Sequence, residues 1–544
     1  MKLNLDKATL IQVLAVIIAG LIISLFIDPR IKIIPLMLSV SIALIRLVTK
    51  GKRKLLGIGY EVNEDLIYLI THMYAVSTGR PPHRRLFMLD TWAGSYGGYD
   101  SILRRIAVLA VDWGYGFAKA IRIVTRKLGN KVFRDFLLRL GELLAIGEEP
   151  IRFLDIERRA LITEYQAHYV RILEASKLLL GVYTSGVSSA IFIVITFMIF
   201  VFLFSIPSPM VVLVYLAIAI SLFILAYILY RVLPRDRVTH NLKGVKIPEK
   251  VKYRILLIVG LTLSIIVGIV VYKVINDPYL AISAAAAPLI IPGFYAKRIE
   301  KRIREIESFF SIFVRSFGLT YSVIPHTATA LASTLRSSYG PLTIYLKRLL
   351  ARINAGIEPK VAWYHFIGET WSEMVRRNIN ILYDSISTGA DLARVGTVLS
   401  ETTFKLLDIR KQRVQVSKAF ESTIYVVHTL FSAILSFILS LLTIFNEIIS
   451  KLQSISGEIA TVIPFRPTTL DLALSITPIF IIILSILNAL VIKISQGGMY
   501  ETILVPLAIL LAISGIVMWC VSMFSTGIFS SITGLSSLLE ITPK

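Results

Sequence analysis

The stretch KVFRDFLLRLGELLAIGEEP at residues 131–150 has a counterpart in EMVRRNINILYDSISTGADL at residues 373–392. In both, apolar side chains recur at helical spacing and make one apolar face. A glycine, Gly147 or Gly389, then stands where a helix end favours a left-handed residue. A repeat of this size indicates a duplicated structural unit.

The repeat extends on both sides of this stretch. Residues match with a shift of 243 and, after a one-residue slip, of 242; the matched pairs are Pro82-His83 with Pro325-His326, Tyr96-Gly97 with Tyr339-Gly340, Gly114 with Gly356, Arg134 with Arg376, Arg171 with Arg413, and Tyr183 with Tyr425. Each copy is a polar, basic, helix-patterned segment between apolar segments. Both copies are too long to be ordinary loops, so they are predicted to be domains that present a surface to a partner.

The composition is that of a membrane protein with a large positive charge. Of the 544 residues, 55% are hydrophobic, mean hydropathy is +0.74 and net charge is +23. The preference for Lys and Arg in cytoplasmic segments accounts for part of this charge. The polar domains carry further basic residues, whose counterpart could be nucleic acid, lipid head groups or an acidic protein. The single cysteine, Cys520, excludes a disulfide within the chain and a cysteine metal site.

Nine apolar stretches approach the roughly 20 residues that cross a bilayer core. They are Ala8–Ile27, Ile31–Val48, Leu178–Phe204, Pro209–Leu233, Ile255–Val274, Tyr279–Tyr295, Ser422–Ile448, Leu470–Ile492 and Thr502–Met523. Ala8–Ile27 is interpreted as a retained anchor because no small-residue cleavage site follows it. Two prolines, Pro288 and Pro292, fall in the sixth stretch and are interpreted as a kink.

The connectors predict the orientation in the membrane. Basic residues follow the second, fourth and sixth spans: Lys50, Lys52, Arg53 and Lys54; Arg231, Arg235 and Arg237; Lys297, Arg298, Lys301, Arg302 and Arg304. The opposite turns are short and poor in cations. The basic side is cytoplasmic by the positive-inside rule. We therefore expect a multi-pass protein of the plasma membrane with a cytoplasmic N-terminus and an external C-terminus.

The predicted fold is an all-α integral membrane protein with about nine transmembrane helices and two tandem cytoplasmic helical-bundle domains. The predicted segments are a first hairpin at 1–48, the first cytoplasmic domain at 49–177, a second hairpin at 178–233, a basic linker at 234–254, a third hairpin at 255–295, the second cytoplasmic domain at 296–420, and three C-terminal spans with a short external tail at 421–544. Both copies have the same orientation, so the repeats are parallel.

Local signals predict where several cytoplasmic helices begin and how far they run. Asn130 is predicted to cap the helix of the first copy, and Thr370-Trp371-Ser372-Glu373 reads as a capping box in the second. From Asp155 to Leu178, and from Asp391 to Ser422, the pattern predicts helices that continue unbroken into the membrane. Such a helix is either a rod that passes a push or rotation to the spans or simply a long helix.

No enzymatic site is recognisable in the sequence. The run Gly51-Lys52-Arg53-Lys54 lacks the frame of a phosphate-binding loop, and the scattered histidines have no metal-ligand spacing. His428 and Asn488 lie inside spans and are predicted to hydrogen-bond neighbouring helices. A transporter would want acidic residues in the middle of its spans, and none lies there. We expect no enzyme activity, cofactor or metal, and nucleic acid is a poor candidate because no stacking array accompanies the charge.

Basic residues of the polar domains are the strongest candidates for a binding surface. They are Arg104, Arg105, Lys131, Arg134, Arg348, Arg352, Arg376 and Arg377. Most such residues in proteins lie on a solvated face. Arg134 and Arg376 are singled out because they hold equivalent places in the two copies.

The duplicated layout resembles the platform proteins of type II secretion and type IV pilus machines, the type II secretion system F family. The motif that carries the resemblance is an apolar helix, a glycine and a spaced apolar residue, at Leu144–Ile151 and Ser385–Leu392. An upstream motif at Gly356–Ala362 has a weaker twin at Gly114–Ala118, so Gly114, Gly147, Gly356 and Gly389 mark the repeat. The resemblance covers most of residues 55–450, and the extra hairpins favour the archaeal pilus and archaellum branch.

The resemblance implies a platform without enzymatic activity. Such a platform would bind a cytoplasmic hexameric secretion ATPase, contact pilin or archaellin subunits in the membrane, form a homodimer and couple ATPase motion to filament assembly. The basic residues, Arg134 and Arg376 among them, would then dock the ATPase. The alternative is a secondary transporter or channel built from parallel repeats, and a third class is the membrane half of an ATP-driven exporter.

Overall fold

The structure, a computed structural model, describes residues 62–204, 208–234, 236–242, 244–245, 247–455 and 467–536. The predicted first hairpin at 1–48, with two of the nine predicted spans, lies outside these ranges. Regular structure within them is helical, and an isolated antiparallel bridge joins Thr239 to Ser372.

Seven helices and a π-helical turn belong to the first repeat and the hairpin that follows it. They are α1 (Glu64–Ser77), α2 (His83–Phe87), α3 (Tyr99–Ala107), the π-helical turn Val108–Asp112, α4 (Phe117–Thr125), α5 (Lys131–Ala145) and α6 (Pro150–Leu203), which leads to α7 (Ser208–Val232). The remaining helices are α8 (Pro248–Ile275), α9 (Pro278–Val323), α10 (Thr327–Thr334), α11 (Thr343–Asn354), α12 (Pro359–Thr370), α13 (Glu373–Ser387), α14 (Leu392–Ile455), α15 (Pro467–Gln496) and α16 (Leu504–Ser536).

Helix ends follow local chemistry, with one correction. Asn130 caps α5 as predicted, because its side chain accepts a hydrogen bond from the backbone N–H of Phe133 at 3.0 Å. The cap of α13 is Ser372, which accepts from Val375 N at 3.2 Å, and not Thr370 as predicted. Thr370 cannot be the cap because it is the last residue of α12. Trp371, whose φ is +54°, ends α12 and turns the chain, so α13 begins after Ser372.

The four glycines that mark the repeat have left-handed backbones. Their φ angles are +69° at Gly114, +78° at Gly147, +75° at Gly356 and +66° at Gly389. Nothing crowds the position of an added Cβ at any of them, so the backbone conformation and not close packing explains the residue type.

Three helices pass without a break from the polar repeats into apolar segments. They are α6 with 54 residues, α9 with 46 and α14 with 64. The prediction of continuous helices after Asp155 and Asp391 is confirmed, and α9 is a third such helix that the sequence did not single out. It continues through Pro288 and Pro292. At 1.5 Å per residue, α14 is about 95 Å long if straight.

Seven described helices are long and apolar enough to cross a membrane. They contain the seven predicted spans from Leu178 onwards. In the apolar part of α15, 72% of residues are buried, against 11% in α8, so α15 is central and α8 peripheral. Polar side chains hold the centre: Asn488 Nδ2 donates to His428 Nδ1 at 3.2 Å, and Tyr183 OH donates to Asn488 Oδ1 at 2.8 Å. The predicted role of Asn488 and His428 in joining helices is confirmed.

The two polar repeats share one hydrophobic core. Within the described residues a single buried cluster runs from Val62 to Ile409 and draws side chains from both copies. The sequence predicted a separate core for each domain. A shared core forms because α13 of the second repeat packs against α1 of the first. The repeats therefore stabilise each other.

Helices α6 and α14 run side by side in the same direction. The successive contacts are Arg413 with Tyr169, Phe420 with Tyr183, and Phe445 with Phe202. Residue numbers rise together along both helices, so both repeats have their apolar ends on the same side. This arrangement agrees with the predicted parallel orientation of the repeats.

Candidate functional site

A buried ionic cluster joins the two repeats at the contact between α1 and α13. Arg377, which is 2% exposed, donates to Asp65 Oδ1 at 2.5 Å and to Glu373 Oε1 at 2.8 Å. Its guanidinium also lies over the ring of Tyr68, 5.1 Å from the centroid. Arg376 donates to Glu373 and to the carbonyl oxygen of Ala93, the latter at 2.7 Å. Both arginines thus connect the copies through charge-assisted hydrogen bonds.

The electrostatics of this cluster favour the ionised state of Glu373. Burial alone would raise the pKa of this carboxyl, but the hydrogen bond from Arg376 and the charge of Arg377 outweigh it and lower the pKa to about 2. Its folded pKa is below the ordinary value of 4.5, so the ionised carboxylate stabilises the fold above about pH 4.5. That contribution is lost as the pH falls towards 2. At neutral pH Glu373 is therefore ionised.

A second polar cluster lies one to two turns further along α13. Asp384 accepts hydrogen bonds from His72 Nε2 at 2.8 Å, from the backbone N–H of Asp90 at 3.1 Å and from Arg85. Asn380 Nδ2 donates to Tyr96 OH at 3.2 Å, which in turn contacts His72 Nδ1 at 3.0 Å. These side chains are provided by both repeats, so the cluster fixes their relative position.

The burial of Arg376 and Arg377 overturns their assignment to a docking surface. Their guanidinium groups are buried and hydrogen-bonded to Glu373, Asp65 and the Ala93 carbonyl, so they cannot meet a partner without separating the repeats. Arg352 is half-buried and pairs with Glu369. The other candidates are exposed or half-exposed and fall in two groups, Arg104, Arg105, Lys131 and Arg134 on the first repeat and Arg348 on the second.

An exposed aromatic loop, which the sequence analysis missed, follows the basic end of α3. Trp113 is 67% exposed and stacks on Tyr115, with ring centroids 6.5 Å apart. Arg104 and Arg105 lie in the last turn of α3, and the π-helical turn Val108–Asp112 separates them from this loop. The signal in the sequence is a tryptophan and a tyrosine set among Gly114 and Gly116, both at positive φ. We call Arg104, Arg105, Trp113 and Tyr115 the aromatic-basic patch.

The patch lies at the end of the polar repeats away from the apolar helices. Arg84, in the helix α2 that follows the end of α1, pairs with Asp112 beside the loop at 3.0 Å. The opposite end of α1 faces the other way, because Glu64 pairs with Arg410 of α14, near where α14 enters its apolar segment. The patch is therefore accessible without approach to the apolar helices.

A buried cluster of hydrogen bonds around Arg413, which we call the Arg413 collar, joins the long helices where their polar and apolar parts meet. Arg413 of α14 donates to the carbonyl oxygens of Ile494 at 2.7 Å and Pro234 at 2.6 Å, and to Asp236 at 3.1 Å. Its repeat counterpart, Arg171, is exposed. The collar joins α14 to the end of α15 and to the linker after α7. Movement of α14 would therefore carry these elements with it.

Within the described residues, no group of three or more His, Cys, Asp or Glu side chains is placed to hold a metal ion.

Comparison with known proteins relates the chain to proteins named for archaeal flagella. No protein-family model matches it, and no solved structure does. It is 26% identical over 456 residues to "Flagella accessory protein J" of Methanocaldococcus jannaschii, covering 80% of each chain. It is 25% identical over 470 residues to the protein of the same name from Methanococcus voltae, covering 84% of each chain. Alignments of this length exceed either repeat, so the similarity includes parts of both.

Proposed function

We propose that this chain is the membrane platform of an archaellum or related type IV pilus-like assembly machine. It would couple a cytoplasmic hexameric secretion ATPase to the extraction of pilin or archaellin subunits from the plasma membrane. The observation that carries the proposal is the passage of three unbroken helices, α6, α9 and α14, from the polar repeats into the apolar bundle. The platform is not an enzyme in this proposal, and ATP hydrolysis belongs to its partner.

The packing of these helices supports mechanical coupling. Their polar parts belong to the shared core, and α14 contacts both α6 and α9. The Arg413 collar then ties α14 to α15, the central helix of the apolar bundle. Helix α14 continues without a break to Ile455. It therefore has no flexible joint that would absorb a force applied to the repeats.

The relatives support the choice of machine. Two proteins named for flagella match over at least 80% of their length. In the proposed orientation the repeats and the N-terminus are cytoplasmic and the C-terminus is external. The ATPase would meet the aromatic-basic patch, aided by Lys131, Arg134 and Arg348, while filament subunits would meet the apolar helices. A homodimer is part of the proposal, and nucleic acid is not.

Reversing the charge of the patch tests the ATPase contact. The double variant Arg104→Glu, Arg105→Glu should reduce pull-down of the cognate secretion ATPase at least about tenfold, because like charges would face the acidic partner. The control, Arg394→Glu with Lys411→Glu, makes the same charge change at exposed sites on α14 and should leave binding unchanged. Equal binding by both variants would reject the patch as the docking surface.

A kink in α14 tests the mechanical role. Lys418 is exposed on α14 just before the apolar segment. Lys418→Pro removes a helical hydrogen bond and bends the helix, whereas Lys418→Ala keeps it straight. In cells lacking the chromosomal gene, we expect filaments seen by electron microscopy with Lys418→Ala and none with Lys418→Pro, at equal membrane levels of both. Normal filaments with the proline variant would contradict transmission through α14.

A further inference from the structure

The contact between the two repeats is one-sided. Helix α13 of the second repeat covers α1 of the first through Arg377 and Asp384, and Asn380 bonds Ala93 beyond α1. The repeat-equivalent contact would place α5 on α9. No hydrogen bond or ion pair joins those two helices among the described residues. The interface is therefore heterologous, and each repeat retains one open half of it.

The open half on the second repeat is an apolar face of α9. Ile312 is 57% exposed and Leu319 is 48% exposed, whereas their counterparts in α1, Leu69 and Val76, are completely buried. Val323 at the end of the same face is 81% exposed. The opposite face of α9 packs into the core of its own repeat, as the equivalent face of α1 does. Among the described residues, no helix covers the exposed face of α9.

The open half on the first repeat is a face of α5. Glu142 is exposed at the position equivalent to Asp384, and Ile146, equivalent to Thr388, is 73% exposed. Leu138, equivalent to the buried Asn380, is only partly covered. A helix face that is buried in one copy is thus presented to solvent in the other.

At one position of the existing register the two open halves carry opposite charges. The buried pair of His72 with Asp384 becomes Arg315 opposite Glu142. Both residues are exposed, and neither makes an ion pair within the part of the chain that the structure describes. The charges are therefore opposite and available.

The far end of the contact is looser in the equivalent pair. A Cβ placed on Gly79 would lie 2.7 Å from the carbonyl oxygen of Thr388, so the two backbones almost touch there. The equivalent positions are Ser322 and Ile146, and the Cβ of Ser322 requires a wider separation of the two backbones. Ile146 at the end of α5 and Val323, next to Ser322 on α9, are exposed apolar side chains that would face each other across this gap.

We propose that α5 of one chain docks on α9 of a second copy of the chain and repeats the contact between α13 and α1. The two repeats have their apolar ends on the same side. A second chain placed by the rotation that relates the repeats would therefore lie in the same membrane as the first. Repetition of a heterologous contact closes a ring when the rotation permits. This surface specifies the self-association included in the proposed function, and the test below measures that association alone.

Disulfide trapping tests the contact in membranes of cells that make the full chain. Cys520 is first replaced by serine, and two differently tagged chains then carry Ile146→Cys or Ser322→Cys. Oxidation should yield a dimer that contains both tags, since the equivalent positions in the existing contact are within disulfide reach. The control pairs Ile146→Cys with Lys347→Cys, an exposed site off both faces. A two-tag dimer no more abundant than in this control overturns the proposal.

Charge exchange provides the second measurement. Glu142→Arg in one chain or Arg315→Glu in the other should lower the yield of the two-tag dimer at least about tenfold, and the two changes together should restore it. Both sites are exposed, so the fold does not depend on them. If the two changes together do not restore the dimer, self-docking is overturned. It is also overturned if the species trapped on α9 is another protein or residues 1–61 of the chain. Neither result bears on the ATPase pull-down or the filament assay.

Discussion

Replacing Arg377 by leucine is expected to lower the free energy of unfolding by about 3–5 kcal/mol and to loosen the two repeats. The guanidinium is almost fully buried and is shared by Glu373, Asp65 and Glu64. After its removal Glu373 keeps Arg376 and Glu64 keeps Arg410, but Asp65 keeps only the exposed Arg237 at 3.5 Å. Leucine fills part of the space but cannot donate to the stranded carboxylates. The effect exceeds that of an exposed ion pair because the charges left behind are shielded from water.

The measurement is thermal unfolding of the purified chain in detergent, together with limited proteolysis of the repeats. The matched control is Arg134→Leu, which changes an arginine in the equivalent helix of the first copy that is 40% exposed. The control should stay within about 0.5 kcal/mol of the unmodified protein. Equal stability of the two variants would show that the buried cluster does not hold the repeats together.

Placing valine at Gly318 is expected to cost about 3 kcal/mol or more. Helices α9 and α14 cross here with their backbones in contact: a Cβ on Gly318 would lie 2.9 Å from Gly396 Cα and still nearer the carbonyl oxygen of Leu392. The reverse holds for Gly396, where an added Cβ would lie 2.6 Å from the carbonyl oxygen of Val314. The obstructing atoms are backbone, so the helices themselves would have to separate.

Gly181 supplies the control for this second substitution. It lies inside α6 with open space around its added Cβ, so Gly181→Ala should be neutral or stabilise by up to about 1 kcal/mol through helix propensity. Thermal unfolding of both variants under identical detergent conditions makes the comparison. A Gly318→Val protein as stable as Gly181→Ala would contradict the close crossing of α9 and α14.

Much of the architecture could be predicted because its signals are local or simply repeated. Runs of about 20 apolar residues marked the spans from Leu178 onwards, and the lack of helix breakers predicted that α6 and α14 continue into them. Glycine at Gly147 and Gly389 marked the ends of the two equivalent helices, since few other residues adopt positive φ there. The candidate docking residues were chosen from charge alone, and that choice failed for Arg376 and Arg377.

Arg134 and Arg376 show what the sequence by itself determined and what only the tertiary structure decided. Their matching positions, each in the first turn of its helix, follow from the repeated pattern of apolar spacing, cap and glycine. Their environments differ because α13 meets α1, about 310 residues away in the chain, whereas α5 meets only its own repeat. Local sequence specifies which face of a helix is apolar or charged. Whether that face is buried depends on which distant segment covers it, and the shared core, the buried ionic cluster and the exposed Trp113 loop all arise at that level.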